Sequence, residues 1–244
     1  MSKTSFIYGI RAIIEAIESG KEIDKIYLLK GGDGVLAQQL KKVAGTKNIS
    51  TSYVPIEKLD HLAKGNHQGA VARIAAISYS NLEEILEKID LDTNPTFLVL
   101  DGITDVRNFG AIARTAECTG IAAIIIPTKG SASINADAIK TSAGALFNIP
   151  ICKVNHVKDA LFMFQSYGIQ LAGATEKVDQ VLYNENLNLP IAVVMGSEER
   201  GIQPSVIKML DYKLKLPMLG DIASLNVSVA CGAILYEITR QKMS

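Results

Sequence analysis

The sequence predicts an α/β protein whose C-terminal half is a parallel sheet covered by helices and whose N-terminal part is a smaller α/β unit. Three observations predict it. Strongly apolar runs recur at residues 97–100, 121–126, 149–153, 169–172, 191–195 and 214–216. Helix-like stretches separate most of them, and runs apolar on both faces with helical crossovers between them are the pattern of parallel strands buried from two sides. The composition, 48% hydrophobic with 6% aromatic and no Trp, is that of a core of Ile, Val, Leu and Ala rather than of a disordered or fibrous chain.

The N-terminal elements follow from periodicity. A helix is expected over about 9–19, where Ile10, Ile13, Ile14 and Ile17 share one stripe. It precedes a strand at 25–29, a helix around 35–43, a strand at 50–54, a short helix at 56–63 and a strand at 70–76. Residues 80–95 pass from a charged amphipathic helix into a polar stretch ended by Pro95, which interrupts both helix and ladder. The expected organisation is a small α/β unit over 1–78, a linker over 79–95 and a large domain over 96–244.

Charge and special residues narrow the chemistry. Lys plus Arg and Asp plus Glu are 25 each, so attraction to a nucleic acid has to come from a local basic patch. Cys118, Cys152 and Cys231 lie far apart inside apolar segments with no CxxC, which predicts free buried thiols in a reducing compartment. No apolar run approaches the roughly 18 residues of a membrane span, and the start MSKTSF lacks a signal peptide's apolar core, so a cytoplasmic protein is expected. His61, His67 and His156 have neither HExxH nor ligand spacing, no GxSxG elbow or Walker A loop occurs, and no metal is expected. His67, in the run Asn66 to Gly69, reads as a turn histidine. Gly32 to Ala37 matches GxGxxA, but no acidic residue ends the next strand, so it reads as a flexible loop and not as a dinucleotide site.

Three polar stretches remain, each at the end of an apolar strand, where open parallel sheets bind ligands. In the first, DGITDVRNFGAIART at 101–115, Asn108 is expected to cap a helix running to Gly120. Arg107 and Arg114, seven apart, share the face of that helix opposite its Ala and Ile stripe. In the second, VMGSEERG at 194–201, Gly196 permits close backbone approach and Glu198 hangs over the sheet edge before a helix start at Pro204. In the third, LPMLGDIASLNVS at 216–228, a loop leads at Ser224 into a helix of small residues suited to tight packing against a helix or a second subunit.

In residue type, order and spacing these stretches resemble the three signature motifs of the SpoU (TrmH) family of RNA ribose 2'-O-methyltransferases, within the SPOUT superfamily. YGIRAIIEA at 8–16 and NHQGAVA at 66–72 are similar to the small substrate-binding domain that precedes the catalytic domain in the family's ribosomal branch. The resemblance implies S-adenosylmethionine as methyl donor, a catalytic domain with a deep trefoil knot, and a guanosine of 23S ribosomal RNA as substrate. It also implies a homodimer through the C-terminal helix, for which 225–239 with Val227, Ala230, Ile234 and Leu235 is suitably apolar. By motif, Asn108, Arg114, Glu198, Ser224 and Asn226 would form the catalytic surroundings, and Gly196, Leu216, Met218 and Leu225 the cofactor pocket. The loop at 128–135 departs from the branch: Lys129 is its one base where a more basic, phosphate-contacting segment is expected.

A ribose hydroxyl is a poor nucleophile until its proton leaves, so such a site must hold it in line with the methyl carbon and stabilise developing negative charge. A guanidinium stays protonated to about pH 12, which makes Arg114 a phosphate anchor and oxyanion stabiliser rather than a base. Glu198 either takes the proton or orients Arg114 or Asn108, and residue type leaves both open. Two neighbouring readings are a transfer-RNA ribose methyltransferase and an RNA-binding ribosome-assembly protein without turnover. Against the second stands the presence of Asn108, Arg114, Glu198 and Asn226 together.

Overall fold

Strand β1 (Phe6–Tyr8) opens the computed structural model, which describes residues 6–176, 178, 180–222 and 224–244. The chain divides into two units, the first running to Ser78 and including Ile134–Ala136, the second made of Tyr79–Ser133 and Asp137–Ser244. In the first, β1 is followed by α1 (Ile10–Glu18), β2 (Ile23–Leu29), α2 (Val35–Thr46), β3 (Ser50–Val54), α3 (Ile56–Leu62) and β4 (Ala70–Ile74). The sheet order is β1-β4-β2-β3, with β2 and β3 parallel and β4 antiparallel to both β1 and β2. Alternation along β2 separates two small cores. Ile26 and Leu28 pack with Ile13, Ile17 and Leu40 of α1 and α2, while Tyr27 and Leu29 pack with Leu59 of α3. Asp24, 6% exposed, accepts from Arg73 Nε at 2.8 Å across the β2–β4 pair, which gives a buried carboxylate the partner it requires. Strand β1 was not evident in the sequence because three residues show no period.

The second unit begins where a linker was expected. Residues 79–95 contain α4 (Leu82–Lys88), capped by Asn81 accepting from Glu83 N at 2.9 Å. Leu82 and Leu86, one turn apart, are buried against Phe97, Leu161 and Phe164, so this segment is part of the core. Then follow β5 (Thr96–Asp101), α5 (Val106–Cys118), β6 (Ala123–Pro127), α6 (Ala136–Thr141), β7 (Ile151–Val154), α7 (Val157–Ser166), β8 (Gln170–Ala174), β9 (Ile191–Gly196), α8 (Pro204–Ile207), β10 (Tyr212–Leu214) and α9 (Val227–Lys242).

The six strands form one parallel sheet, ordered β10-β8-β9-β5-β6-β7. Every residue of β5 and β9 is buried, as expected of strands covered on two faces. From β5 the chain steps outward to β6 and β7, then returns to the other side, so strand order reverses between β5 and β9. Their carboxyl ends are in register, Asp101 opposite Gly196, which puts two of the three polar stretches at the reversal where α/β sheets form their ligand crevice.

Three local expectations are corrected. The cap of α5 is Asp105, whose Oδ1 accepts from Asn108 N at 2.8 Å; Asn108 lies one turn in, free to point its amide elsewhere. Strand β6 starts later than expected because Ile121 N still bonds Ala116 O behind Gly120 at φ 69°, a helix-terminating turn. Cys118 ends α5 exposed, whereas Cys152 and Cys231 are buried; all three thiols are free.

Candidate active site

Strand β9 ends in a turn that folds back on itself. Ser197 N donates to Gly201 O at 3.2 Å and Gly201 N to Ser197 O at 2.8 Å, while Arg200 N bonds Ser197 Oγ at 3.2 Å. Gly196 makes this possible: a Cβ there would stand 2.1 Å from the Gly201 carbonyl carbon and 2.2 Å from Ile202 N. Below the turn, buried Asp101 accepts from Gln203 N at 3.0 Å and from Gln203 Nε2 at 2.8 Å, fastening the end of β5 to the residue that enters α8.

The turn aims Glu198 at two asparagines from distant parts of the chain. Asn108 Nδ2 donates to Glu198 Oε1 at 2.7 Å, and Asn226 Nδ2 donates to the same oxygen at 3.0 Å and to Asn108 Oδ1 at 3.1 Å. Asn226 is fixed in turn as the cap of α9, its Oδ1 accepting from Ser228 N at 2.9 Å and from Ser228 Oγ at 2.6 Å. Each of the three polar stretches thus contributes one side chain to a single hydrogen-bonded group.

This group stands between two cavities that share the turn at 197–201 and Val227. The first, about 440 Å³, has Gly196, Leu216, Met218 and Leu225 in its wall, with Ser224, Asn226 and Glu198 at its polar side. The second, about 430 Å³, lies toward β5 and α5 and is lined by residues 101–105, Asn108 and Gln203. Both fall within the roughly 300–1,000 Å³ typical of small-molecule sites. Glu176, Glu198 and Glu199 line the first cavity against a single base, Arg200, an electrostatic balance suited to a cationic ligand.

Of the nine site residues expected from the sequence, eight line these cavities. Arg114 does not. It is exposed two turns further along α5, lines neither cavity, and has no hydrogen bond or ion pair among the described residues. Sequence reasoning missed the Asp101–Gln203 fastening and the second cavity, which rest on contacts 102 residues apart. The Asp105 cap did have a signal, an acidic residue three before a polar one at a helix start. Among the described residues no group of three or more His, Cys, Asp or Glu is placed to hold a metal ion, and no helix is long and apolar enough to cross a membrane. The turn histidine His67 is held by Asp60 Oδ1 at 3.0 Å and by Gly69 N at 3.0 Å.

The chain is similar to known proteins over nearly its whole length. The pattern described as the SpoU rRNA Methylase family matches residues 95–236, and that described as RNA 2'-O ribose methyltransferase substrate binding matches residues 6–80. It is 35% identical to the 23S rRNA (guanosine-2'-O-)-methyltransferase RlmB of Pseudomonas aeruginosa, over 99% of this chain and 98% of that protein. It is 34% identical to YacO of Bacillus subtilis, a TrmH family protein, over 97% of this chain and 96% of that one. Among solved structures it resembles the SpoU methyltransferase AviRb of Streptomyces viridochromogenes in complex with AdoMet, with a TM-score of 0.62 and 24% identity over 98% of this chain and 90% of that chain. The matched pattern, the full-length relatives and the parallel-sheet fold agree: this chain belongs to the SpoU rRNA methylase family.

Proposed function

We propose that this protein transfers a methyl group from S-adenosylmethionine to the 2'-hydroxyl of a guanosine ribose in 23S ribosomal RNA. The observation that carries the reading is a cavity walled by Gly196, Leu216, Met218 and Leu225 that opens onto the Asn108–Glu198–Asn226 group. Apolar walls accept an adenine, the backbone of the turn at 197–201 offers hydrogen bonds, and the three carboxylates favour a sulfonium. When bound, S-adenosylmethionine supplies a methyl group on a positive sulfur that departs neutral. RlmB-named relatives at about 34% identity support the ribosomal guanosine.

The residues of this chain then have the following tasks. Asn108 and Asn226 hold Glu198 Oε1 from two sides, so Glu198 presents its other carboxylate oxygen to the ribose hydroxyl and takes or orients its proton. Ser224, in the first cavity beside Asn226, offers a further hydroxyl to the sugar or phosphate. Arg114 lines neither cavity, and its task as phosphate anchor and oxyanion stabiliser belongs to a dimer in which it serves the other subunit's site. Support for a homodimer comes from α9 and its C-cap, where Val229, Tyr236 and the cap residue Met243 repeat every seven residues and are 55%, 57% and 84% exposed, a stripe that water disfavours. Helix α5 packs beside α9, Thr115 lying near Gly232, and this supports a dimer through α9 in which Arg114 of one subunit serves the site of the other. The first unit receives the RNA, and the trefoil knot of the family belongs to this reading of the C-terminal domain.

The test is direct. Purified protein, S-adenosylmethionine labelled on its methyl group and a 23S ribosomal RNA transcript should yield label in one guanosine 2'-O-methyl product. Mapping ribose methylation in cells with and without the gene locates it. Absence of cofactor binding by calorimetry, with and without RNA, would end the proposal, and loss of a transfer-RNA mark instead would move the substrate.

A further inference from the structure

A chain with equal numbers of acids and bases binds a polyanion only where its charge is uneven, and the first unit contains such a place. Residues 34–56, which comprise α2 and the edge strand β3, include Lys41, Lys42 and Lys47 and no acidic residue. Lys42 and Lys47 are exposed. Lys41 is committed elsewhere: its Nζ lies 3.2 Å from Asp33 Oδ1 and 5.4 Å from the centre of the Tyr53 ring. Asp33, directly before this segment, is thereby paired, and the ring of Tyr53 is held against that cation while remaining 55% exposed. Tyr53 sits on β3, an edge strand, on the same face as Thr51 two residues before it.

We propose that the α2–β3 face of the N-terminal unit is an RNA-binding surface. Tyr53 is the platform on which an unpaired base stacks, and Lys42 and Lys47 contact the flanking phosphates. The core on this side of the sheet is built by Ile26, Leu28, Ala70 and Ala72 of the strands with Leu40 of α2, and the exposed ring of Tyr53 is not part of it. An exposed ring held beside a lysine, in a segment that has bases and no acid, matches single-stranded RNA, whose bases are available for stacking and whose phosphates lie on either side of them. Lys41 is a positioning residue: it sets the ring and the loop at Gly32 and leaves the phosphates to its neighbours. The inference deepens the assignment of the first unit as the RNA-receiving part and rests on that reading.

The experiment uses the full-length protein and a large-subunit ribosomal RNA transcript, with binding measured at several salt concentrations. Tyr53→Ala should weaken binding between roughly fivefold and a hundredfold, and Tyr53→Phe, which retains the ring, should restore it. The double variant Lys42→Gln, Lys47→Gln should reduce the slope of log affinity against log salt by about 1.4 to 1.8. Calorimetric affinity for S-adenosylmethionine and the melting temperature should not move, which separates a lost RNA contact from misfolding. Wild-type affinity and salt slope in both variants would overturn the inference while leaving wild-type RNA binding, and with it the broader assignment, standing. Loss of affinity for ribosomal particles but not for naked RNA would assign the face to a protein partner and overturn it equally. Failure of the wild-type protein to bind RNA would remove both.

Discussion

Replacing Asn226 with aspartate isolates the one job that only its amide performs. Aspartate caps helices as well as asparagine does, so the bonds from Ser228 N and Oγ survive. What changes is the atom facing Glu198: a donor at 3.0 Å becomes a second carboxylate oxygen. Two unit charges at that distance repel by about 1.4 kcal/mol in water and by about 5.5 kcal/mol at an effective dielectric of 20. Glu198 and Asn226 are both exposed, so the low end governs, about 1.4 to 3 kcal/mol. Protonating either member relieves that repulsion. A carboxylate pair titrating higher folded than unfolded holds its extra proton only in the folded state, so stability falls as pH rises through that window. Asn226→Asp should therefore match the wild type below about pH 4 and be less stable by about 1 to 3 kcal/mol at pH 7. Urea unfolding at both pH values, with an unchanged dependence on denaturant, measures it. Methyl transfer at pH 7 should fall by about tenfold or more, since Glu198 loses one of two hydrogen bonds that aim it. Asn226→Ala is the control, with a deficit of about 1 kcal/mol from the lost cap at every pH. An Asn226→Asp deficit equal at pH 4 and pH 7, or none at all, would refute the charge geometry assigned to this group.

Other consequences follow from single atoms. Gly196→Ala places a methyl group 2.1 Å from the Gly201 carbonyl carbon; overpacking of this kind costs about 1 to 3 kcal/mol, so calorimetry should find a lower melting temperature and weaker S-adenosylmethionine binding. Iodoacetamide at pH 8 should modify native protein once, at exposed Cys118, because burial pushes the thiols of Cys152 and Cys231 up to about 12; intact mass showing two or three adducts would contradict their packing. Hydrogen bonds from Arg240 at 2.9 and 2.8 Å, with a further one from Gln241, hold the Glu237 carboxyl down at about 2 against burial. Its contribution is thus complete above about pH 4.5 and disappears as pH falls through about 2, so Glu237→Gln should be less stable than wild type at pH 7 and converge with it near pH 2 in denaturant unfolding.

By itself the sequence determined what depends on neighbours along the chain. Buried strands at 97–100 and 191–195, the isoleucine stripe of α1 and the motif residues were legible because hydrophobic period and strand-end position are local properties. The short strand β1, the cap at Asp105 and the burial of α4 were less so, since three residues carry no period and an amphipathic helix does not name the surface that will cover it. Only the tertiary structure decided which strands lie side by side and what meets at their ends. Parallel pairing brings Asp101 beside Gly196, and that reversal of strand order assembles Asn108, Glu198 and Asn226 from positions 90 and 28 residues apart into one hydrogen-bonded group. It also leaves Arg114, indistinguishable from the others as a motif residue, outside both cavities. A hydrogen bond requires its atoms within about 3 Å in a fixed orientation, and a one-dimensional pattern does not carry that distance.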